Sequence, residues 1–408
     1  MMQGNPTRIC FPFTGDVVGG SHLSVLGLVR NLDRSRFTPV IVPQYPDGAI
    51  AALFRPTGLL ADIQPQWTRL PYDSSVGPWK MLQLLKDIPA QVHFLRAGGF
   101  DIVHSNDGRT HATWGPAARL SGAKLLWHQR GDPGAIGLRL AAPLLANRVV
   151  AVSRFASPRP GLWSAARRCT VVHSPFATEA SEDRVAARAA LVAELGCDPD
   201  TAFIGFFGAF IRRKRPFLFI DAIAELTGRH LSRPVMGLMF GEAYDGGRTE
   251  TALANHARKR NVADIVKLMG FRTPGPRWLA ACDMLMVPAL GEPFGRTLIE
   301  AMLVGTPVIA TASGGNVEAL KNGDIGVLVP PENAVALANA AVVLIDWPMA
   351  AATIAAKAAE DATSRFGETL HADQIMAVYE AMLGRTSPPK HPPAPMAHPV
   401  LMESEPAS

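Results

Sequence analysis

The sequence is long enough for two or three domains with sizeable cores, since it has 408 residues and 48% of them are hydrophobic. Its net charge of +5 is uneven, because residues 1–180 carry 19 Lys and Arg against 10 Asp and Glu and the remainder carries 21 against 25. A basic half fits an anionic partner, a membrane surface or solubility alone, but no basic stripe alternates with aromatic residues, which argues against nucleic acid.

The sequence shows no membrane-spanning or disulfide pattern. No uninterrupted apolar run reaches the roughly 18 residues that a transmembrane helix needs, and the first residues lack the regions of a signal peptide. The four cysteines are scattered and none lies in a C-x-x-C pair, which argues against a disulfide framework or a zinc site. We therefore expect a cytoplasmic protein.

The first half reads as a doubly wound α/β domain. The apolar run at residues 8–13 predicts a strand, and a glycine-rich turn and a helix follow it, with Ser21 as the expected N-cap. Residues 38–42 predict the next strand. A ligand commonly binds near the first strand-to-helix turn of such a domain, which makes Gly19 and Gly20 candidates to face a cleft, although two glycines often mark only a turn.

An apolar stripe at helical spacing over residues 81–95 predicts an amphipathic helix that Pro89 kinks. This helix packs on the core or lies at a membrane interface, and the buried strand predicted directly after it, at 101–104, favours the core. Further strands are predicted at 125–128, 149–153 and 170–176.

The second half repeats the doubly wound pattern. A short polar linker at residues 177–183 precedes an alanine-rich helix, and the apolar run at 202–207 predicts the first strand of a second domain. A cluster of four cations, residues 212–215, follows that strand closely. This cluster is more than a solvated surface usually needs, and a diphosphate needs cationic partners.

Residues 291–315, GEPFGRTLIEAMLVGTPVIATASGG, predict a loop, a helix, a buried strand and a second loop. Both loops open at the same edge of a parallel sheet and lead into helix N-termini, where free backbone N–H groups favour an anion. Glu300, on the helix, could accept both hydroxyl protons of a ribose diol, and Glu292, in the first loop, could hold a second polyol. On spacing alone, two solvated glutamates are the alternative.

The string E-P-F-G-R-T-L-I-E-A-M-x-x-G-T-P-V-I-A-T-x-x-G-G at 292–315 resembles the E-x7-E donor site of the retaining GT-B glycosyltransferases of family 4, also called glycosyl transferases group 1. The resemblance covers nearly the whole chain to about residue 384 and is dense only in the second half. It implies an α/β protein with two Rossmann-like doubly wound domains that face each other across a cleft. It also implies a hexosyltransferase-like enzyme that moves a sugar from a nucleotide-diphosphate sugar to an acceptor hydroxyl, in bacterial polysaccharide, lipid-linked glycan or glycoconjugate synthesis.

The resemblance also implies a division of the chain. The acceptor domain is expected at residues 1–178, the nucleotide-sugar domain at 179–365, and a terminal helix that crosses back to the first domain at 366–384. Residues 385–408 are rich in Pro, Ser, Ala and His, which predicts a disordered tail.

On the donor side, the resemblance assigns Glu300 to the ribose and Glu292 to the donor sugar, the latter with Phe294 and Gly295. The residues assigned to the diphosphate are Lys214 and the helix start at Arg296, Thr297 and Leu298. Those assigned to the base, through backbone groups, are Gly270 and Phe271. The family often has an arginine where this chain has Ala209; Arg212 or Arg213 could supply the missing charge, and two solvated arginines are the alternative.

On the acceptor side, His128 stands at the family position where a histidine lines the cleft beside the reacting sugar. The expected catalytic residues are His128, Glu292 and Lys214. The expected acceptor or cleft residues are Gly19, Gly20, Arg130 and Asp132. The family usually has Asn-Gly where this chain has Ser174 and Pro175, which puts in doubt the hydrogen bond that the asparagine makes.

Retaining transfer needs either a carboxylate nucleophile, for which the sequence offers no clear candidate, or attack on the same face as the departing phosphate, which the resemblance implies. In the second route, catalysis rests on positioning and on neutralising the leaving diphosphate. No Asp-x-Asp metal site is identified, so we expect metal independence and no cofactor beyond the donor substrate.

Two other functions stay open. The same architecture hosts sugar-nucleotide epimerases, whose nucleotide loop usually carries adjacent glutamates that residues 314–318 lack. A non-catalytic nucleotide-sugar-binding protein is the second, because of Ala209. The acceptor is a glycan, a lipid-linked molecule or a small molecule; the basic first half with its five tryptophans fits a lipid-linked or phosphorylated acceptor and peripheral contact with the inner membrane face.

Overall fold

The computed structural model describes residues 5–62, 67–68, 78–179 and 182–385, with the backbone alone at 78–83. The tail predicted at 385–408, apart from its first residue, lies outside the described residues, and so do part of the predicted linker and the start of the predicted stripe. Within the described ranges the chain forms two α/β domains, each built on a parallel sheet.

The first domain contains a parallel sheet of six described strands in the order β2-β1-β3-β4-β5-β6. Strands β1 to β6 are Thr7–Phe13, Phe37–Pro43, Ile102–Ser105, Lys124–Gln129, Arg148–Ala151 and Cys169–Val171. Helices α1 to α5 are Gly20–Asn31, Ala49–Phe54, Pro78–Ala97, Gly108–Ser121 and Ala142–Leu145, with a π-helical turn at Gly137–Ala141 and single 3-10 turns at Arg55–Thr57 and Ala166–Arg168. The strand order reverses between β1 and β3, where ligands bind in doubly wound folds.

The second domain has six described parallel strands in the order β12-β11-β10-β7-β8-β9. Strands β7 to β12 are Ala202–Phe207, Val235–Phe240, Val266–Gly270, Met284–Val287, Val308–Thr311 and Val327–Val329. Helices α6 to α14 are Arg184–Leu195, Pro216–Ala224, Arg248–Lys259, Gly275–Ala281, Arg296–Leu303, Asn316–Ala319, Ala334–Asp346, Pro348–Arg365 and Glu368–Met382, with 3-10 turns at Arg212–Lys214 and Lys321–Gly323. This is the Rossmann order, and its reversal lies between β7 and β10.

Both sheets are buried on both faces, as parallel sheets require. Along β1, Ile9, Phe11 and Phe13 pack into one core and Cys10 packs into the opposite one, which is the alternation of a strand. The wholly apolar runs that predicted strands are therefore confirmed as buried strands. The strand predicted at 170–176 is shorter than expected: β6 ends at Val171, and the chain beyond it turns toward the cleft.

The N-cap predicted for the first helix is wrong. α1 begins at Gly20, Gly19 occupies the capping position, and Ser21 lies inside the first turn. The Gly19 N–H donates to His22 Nδ1 at 3.0 Å, so the side chain of the third helical residue reaches back to the capping residue. A Cβ at position 20 would overlap the side chain of Arg296 from the second domain, so a larger residue there would displace this arginine.

The last described helix, α14, packs on the first domain. Ile375 and Tyr379 are fully buried with the residues of β1 and α1 in one core, and the Tyr379 ring lies 5.5 Å from that of Phe37. Arg36 and Glu380 add an ion pair of 2.8 Å at the edge of this contact. The helix therefore links the two domains after the second one is complete.

Among the described residues, no single helix is long and apolar enough to cross a membrane. α12 and α13 together reach the required length and composition, but they bend by 103° at their junction. Leu337, Leu344 and Ile345 of α12 are buried in the core of the second domain.

Candidate functional site

The candidate site lies at the carboxyl ends of the strands, where the two domains face each other. In the second domain, the loops after β7 and β10 flank the reversal of strand order, the usual ligand position in this fold. The Leu290 N–H donates to the Arg213 carbonyl at 2.8 Å, which ties these two loops together. The cations after the first strand and Glu292 after the fourth are therefore neighbours in space.

The loop that carries Glu292 packs directly against the turn after β11. The Gly315 N–H donates to the Glu292 carbonyl at 2.6 Å. A Cβ on Gly314 would lie 2.5 Å from that carbonyl oxygen, and Gly314 has φ +62, a conformation that side chains rarely adopt. The two glycines are thus needed for this close approach, which holds the two predicted loops side by side.

Glu292 is buried, with 6% of its surface exposed, and its carboxylate faces two cations. Its Oε2 lies 2.5 Å from Arg213 Nη1 and 3.1 Å from Lys214 Nζ. Burial raises the pKa of Glu292, but the charges of Lys214 and Arg213 and their hydrogen bonds outweigh it, so that the pKa is lowered from its usual value. One carboxylate against two cations leaves a net positive charge, which suits a diphosphate.

Of the two arginines considered for the charge missing at Ala209, Arg213 is the one that lies in the cavity between the domains. Arg213 lines the cavity between the domains and pairs with Glu292. Arg212 is exposed and does not line this cavity. Ala209 itself lines a neighbouring cavity in the second domain.

Two adjoining cavities meet at the start of α10. One cavity, of about 490 Å³, is lined mainly by second-domain residues, among them Phe207, Gly208, Tyr244, Phe271 and Glu300, and also by Leu23 and Phe176 of the first domain. It holds several of the residues predicted to bind the donor, and we name it the donor cavity after that prediction. The interdomain cavity, of about 630 Å³, is lined on one side by Lys214, Glu292 and Gly295 and on the other by Gly20, Asn106 and Arg130. Arg296 and Thr297 line both cavities, so one extended ligand could occupy both.

Arg296 is turned toward the first domain. Its Nη1 donates to Ser24 Oγ at 3.0 Å and to the Pro175 carbonyl at 3.2 Å, and its guanidinium lies 4.2 Å from the ring centre of Phe176. Nη2 lies 3.6 Å from Glu300 Oε1. Burial lowers the pKa of Arg296, against the effect of the Glu300 carboxylate. The side chain therefore joins the domains, in addition to standing at the helix start where the diphosphate is expected.

The first-domain wall of the interdomain cavity is polar. Asn106 and Asp107 follow β3 directly, and the Asp107 carboxylate accepts from the N–H groups of Arg109 and Thr110 and so caps α4. Arg130 follows β4 and donates to Asn106 Oδ1 through Nε and Nη2, both at 3.2 Å. Its Nη1 donates to Ser174 Oγ at 3.3 Å, so the serine supplies an acceptor at the position usually held by asparagine.

His128 does not line the cleft as predicted. It is fully buried and lines neither cavity. Its Nδ1 lies 3.0 Å from His104 Nε2 and 3.2 Å from Arg130 Nη2, so it stands behind Arg130. Burial, together with the charge of Arg130, holds the pKa of His128 well below its usual value, and the ring is neutral.

Several other predicted residues lie away from an expected ligand. Asp132 lines a separate pocket with Trp163 in the first domain, and its Oδ1 accepts from the Gly134 N–H at 2.6 Å. Leu298 is fully buried in the core, so only its backbone is available at the helix start. The Gly270 carbonyl already accepts from the Gly241 N–H at 2.9 Å. The structure therefore places the Asp132 side chain outside the interdomain cavity, whereas the backbone roles predicted for Leu298 and Gly270 stay predictions.

The remaining predicted residues are close to the cavities. Phe294 is buried and stacks 5.1 Å from the His173 ring, and Gly295, with φ +70, starts α10. Phe271 is 71% exposed at the rim of the donor cavity, free to stack on a flat ligand. Gly19 caps α1, and the adjacent Gly20 lines the interdomain cavity.

Sequence reasoning missed the contacts that join the two domains. Ser153 Oγ donates to the Pro293 carbonyl at 2.5 Å. Glu318 accepts from the Arg154 N–H at 2.7 Å and pairs with His173 Nε2 at 2.9 Å. Ser153 and Asn106 could have been found from the sequence, because each is a polar residue just after a buried strand. The sequence pattern does not reveal which residues they contact.

In the part of the chain that the structure describes, no group of three or more His, Cys, Asp or Glu side chains is arranged to hold a metal ion. Asp198 and Asp200 do have Asp-x-Asp spacing. They lie in the exposed turn before β7, at the amino end of the strands and opposite to the cleft.

Residues 188–360 match the family described as glycosyl transferases group 1, a match that covers most of the second domain. The chain is 30% identical over 193 residues to the lipopolysaccharide core biosynthesis mannosyltransferase LpsB of Rhizobium meliloti (strain 1021), a match that covers 46% of this chain and 54% of that protein. It is 33% identical over 190 residues to D-inositol 3-phosphate glycosyltransferase 2 of Catenulispora acidiphila, covering 45% and 44%. The chain thus spans about half the length of the curated relatives it matches.

Solved structures match over both domains. Anabaena Alr3699/HepE, in complex with UDP and glucose, superposes with a TM-score of 0.76 at 24% identity, covering 92% of this chain and 100% of that one. Sucrose-phosphate synthase from Thermosynechococcus elongatus gives 0.72 at 19% identity, covering 93% and 99%. The predicted fold class, two Rossmann-like domains in the GT-B arrangement, is confirmed.

Proposed function

We propose that this chain is a retaining glycosyltransferase of family 4 that moves a sugar from a nucleotide-diphosphate sugar to an acceptor hydroxyl. The proposal rests on the buried carboxylate of Glu292, which pairs with both Arg213 and Lys214. Glu300, on α10, lines the adjoining cavity. This arrangement offers cations for a diphosphate and separate carboxylates for two sets of hydroxyls. The HepE structures with UDP and with UDP-glucose support the donor class by analogy of fold alone.

The donor fills both cavities. Its base lies against Phe271 at the rim of the donor cavity, and its ribose diol donates to Glu300, whose side chain is 22% exposed. The diphosphate lies beside Lys214 and Arg213, across the shared wall at Thr297. Because phosphate oxygens compete with Glu292 for the two cations, donor binding frees this carboxylate for a sugar hydroxyl.

The chemical step needs no protein nucleophile. The acceptor oxygen attacks the anomeric carbon on the face from which the diphosphate leaves, the bond between that carbon and the phosphate oxygen breaks, and the acceptor proton passes to the departing phosphate. Arg213 and Lys214 neutralise the charge that develops on the leaving group, and the cavity walls position the reactants. The reaction is thus proposed to proceed without a metal ion.

The interdomain cavity favours transfer over epimerisation. An epimerase needs room for one nucleotide sugar, whereas the polar wall around Asn106 and Arg130 offers binding groups on the side opposite the donor cations. The names of LpsB and of the D-inositol 3-phosphate glycosyltransferases support a glycan or polar small-molecule acceptor in bacterial glycoconjugate or polysaccharide synthesis.

An exposed apolar patch supports peripheral contact with the inner membrane face. We define this apolar patch by Ile136, Leu140, Leu144, Leu162 and Trp163, whose exposed fractions range from 58% to 110%. Arg139 and Arg159 line the pocket beside it and could meet lipid phosphates. The patch lies on the first domain, close in sequence to Gly131 and Ala135 of the interdomain cavity.

The proposal is tested by incubating the protein with nucleotide sugars and a panel of acceptors and measuring the nucleoside diphosphate released. Release that depends on an acceptor supports transfer. Free sugar-nucleotide isomer formed without an acceptor supports an epimerase instead. Binding of nucleotide sugars without release across the panel supports a non-catalytic binding protein.

A further inference from the structure

We propose that the first-domain wall of the interdomain cavity binds the acceptor by an anionic group, a phosphate or a carboxylate, through Arg130. This assignment rests on the proposed function, because it describes the acceptor half of the same site. It specifies the chemical class of the acceptor, which the names of the relatives do not establish for this chain.

Arg130 is a cation whose partners are all neutral. Its four hydrogen bonds go to Asn106 Oδ1, twice, to Ser174 Oγ and to His128 Nδ1, at 3.2 to 3.3 Å. Among the described residues, no carboxylate lies within ion-pair distance of it. A partly buried charge without a counter-ion destabilises the folded protein, and an anionic ligand would supply the missing counter-ion.

The surrounding residues hold Arg130 in place without neutralising it. A guanidinium only donates, so His128 Nδ1 accepts and this ring carries its proton on Nε2. His104 lies behind His128: its Nε2 is 3.0 Å from the same Nδ1, and its Nδ1 is 2.6 Å from the Tyr379 hydroxyl. Tyr379 belongs to α14, so the terminal helix helps to orient an arginine at the cleft.

Arg130 stays charged in this environment. Burial and the charge of Arg296 lower the pKa of Arg130 to about 9, which leaves the guanidinium protonated at neutral pH. Burial and the charge of Arg130 hold the pKa values of His104 and His128 well below their usual value, so both rings are neutral. The guanidinium therefore presents a positive charge that an anion can meet with a charge-assisted bond.

Cations lie on both walls of the interdomain cavity. Four cations line it, Arg130, Arg213, Lys214 and Arg296, against the carboxylates of Glu292 and Asp107. Asp107 is already engaged by the N-terminus of α4. The donor diphosphate accounts for Arg213 and Lys214 on one wall, which leaves Arg130 on the other wall.

The anion could belong to a soluble sugar phosphate or to a lipid headgroup, since both offer phosphate oxygens beside hydroxyls. The test therefore has two arms. In the first, protein saturated with UDP, or with GDP if UDP does not bind, is titrated calorimetrically with glycerol 3-phosphate and with glycerol. In the second, the same complex is sedimented with vesicles of phosphatidylglycerol and of phosphatidylcholine.

We expect the anionic probe to bind in at least one arm and its neutral counterpart to bind at least tenfold more weakly. Arg130→Gln should bind the anionic probe at least tenfold more weakly than the wild type does. Its affinity for the nucleoside diphosphate should stay within about twofold of the wild-type value, and this retained affinity also shows that the variant is folded. Arg130→Lys, which keeps the charge but loses the forked geometry, should fall in between. Arg119→Gln, an exposed arginine on α4, is the matched control and should change neither affinity.

Equal binding of charged and neutral probes in both arms, or anion affinity unchanged in both Arg130 variants, overturns the proposal. If Arg130→Gln does not fold, Arg130→Lys decides the question alone. Failure of every nucleoside diphosphate to bind the wild type instead contradicts the proposed function. The two failures are therefore distinguishable.

Discussion

The side chain of Arg296 lies directly against Gly20, so closely that a Cβ on Gly20 would overlap its Cδ. Gly20 starts the first helix of one domain, and Arg296 starts the helix that carries Glu300 in the other. With the hydrogen bond from Arg296 to Ser24, this contact joins the domains where the two cavities meet. We expect this contact to couple the relative position of the domains to ligand binding in the donor cavity.

Replacing Gly20 by Ala should therefore push the Arg296 side chain out of its position. Overpacking of this kind typically costs about 1–3 kcal/mol. We expect a lower thermal unfolding temperature and a lower transfer rate, with nucleoside affinity little changed. Gly19→Ala is the control, because the nearest atom to its added Cβ is 3.9 Å away. Equal behaviour of the two variants contradicts the coupling.

Glu300→Ala should weaken nucleotide binding by about 1.5–3 kcal/mol, the contribution of hydrogen bonds to a charged group. Calorimetry with the ribonucleotide and its 2′,3′-dideoxy analogue measures this, and the difference between the two ligands should vanish in the variant. Glu360→Ala, an exposed glutamate of α13, is the control. Wild-type affinity for the ribonucleotide in Glu300→Ala would refute the ribose assignment.

Lys214→Ala should lower the transfer rate more than it weakens nucleoside binding, because its ammonium faces the leaving group rather than the base. Its Nζ also pairs with Glu292 at 3.1 Å, so nucleoside diphosphate affinity should fall as well. Steady-state kinetics and calorimetry with nucleoside and nucleoside diphosphate separate these effects. Arg212→Ala removes an exposed neighbouring cation and should behave as wild type; unchanged turnover in Lys214→Ala contradicts the diphosphate role.

The lowered pKa of Glu292 predicts how its ion pairs depend on pH. Because the folded pKa lies below the usual 4.5, the unfolded state binds more protons in acid. The stabilisation is therefore complete above about pH 4.5 and is lost as pH falls through the folded pKa. The difference in unfolding free energy between wild type and Glu292→Gln, measured by urea denaturation from pH 7 to pH 3, should shrink in acid. A constant difference over this range contradicts the ion-pair account.

The apolar patch should bind anionic vesicles. A double variant, Leu140→Asp with Trp163→Asp, is expected to lower binding to phosphatidylglycerol vesicles at least tenfold, because it adds negative charge and removes apolar area. Sedimentation measures the bound fraction. Val343→Asp, at a 53% exposed position of α12 in the second domain, is the control. Equal vesicle binding by the double variant and this control contradicts peripheral contact through the first domain.

The strands and the donor loops could be predicted because their signals are local. The run at 202–207 is β7 residue for residue, since a short apolar run with a polar turn before it and a glycine after it fits a strand that is covered on both faces. The closeness of Glu292 to Gly314 and Gly315 was predicted from the rule that parallel strands end at one edge of a sheet. The hydrogen bond of 2.6 Å from the Gly315 N–H to the Glu292 carbonyl confirms this prediction.

The first-domain wall could not be predicted to the same depth. The sequence places His128 and Arg130 near the end of β4. It does not reveal that the histidine packs beneath the arginine, because this packing depends on His104 and on Tyr379. Tyr379 lies in a helix and is 275 residues away from His104 in the sequence. Likewise, the partners of Ser153 and Glu318 lie across the domain interface. Such contacts depend on how two domains meet, which no local pattern records.

The central claim is that Glu292 and Glu300 together hold an activated sugar, and its most direct test is protection against thermal unfolding by a panel of nucleotide sugars. A ligand present at 100 times its Kd stabilises the native state by about 2.7 kcal/mol. We predict that at least one nucleotide sugar raises the Tm of the wild type by several degrees, and that the Glu292→Gln, Glu300→Gln double variant loses most of this shift. A panel that leaves the wild type unshifted, or that shifts the double variant equally, would contradict the account.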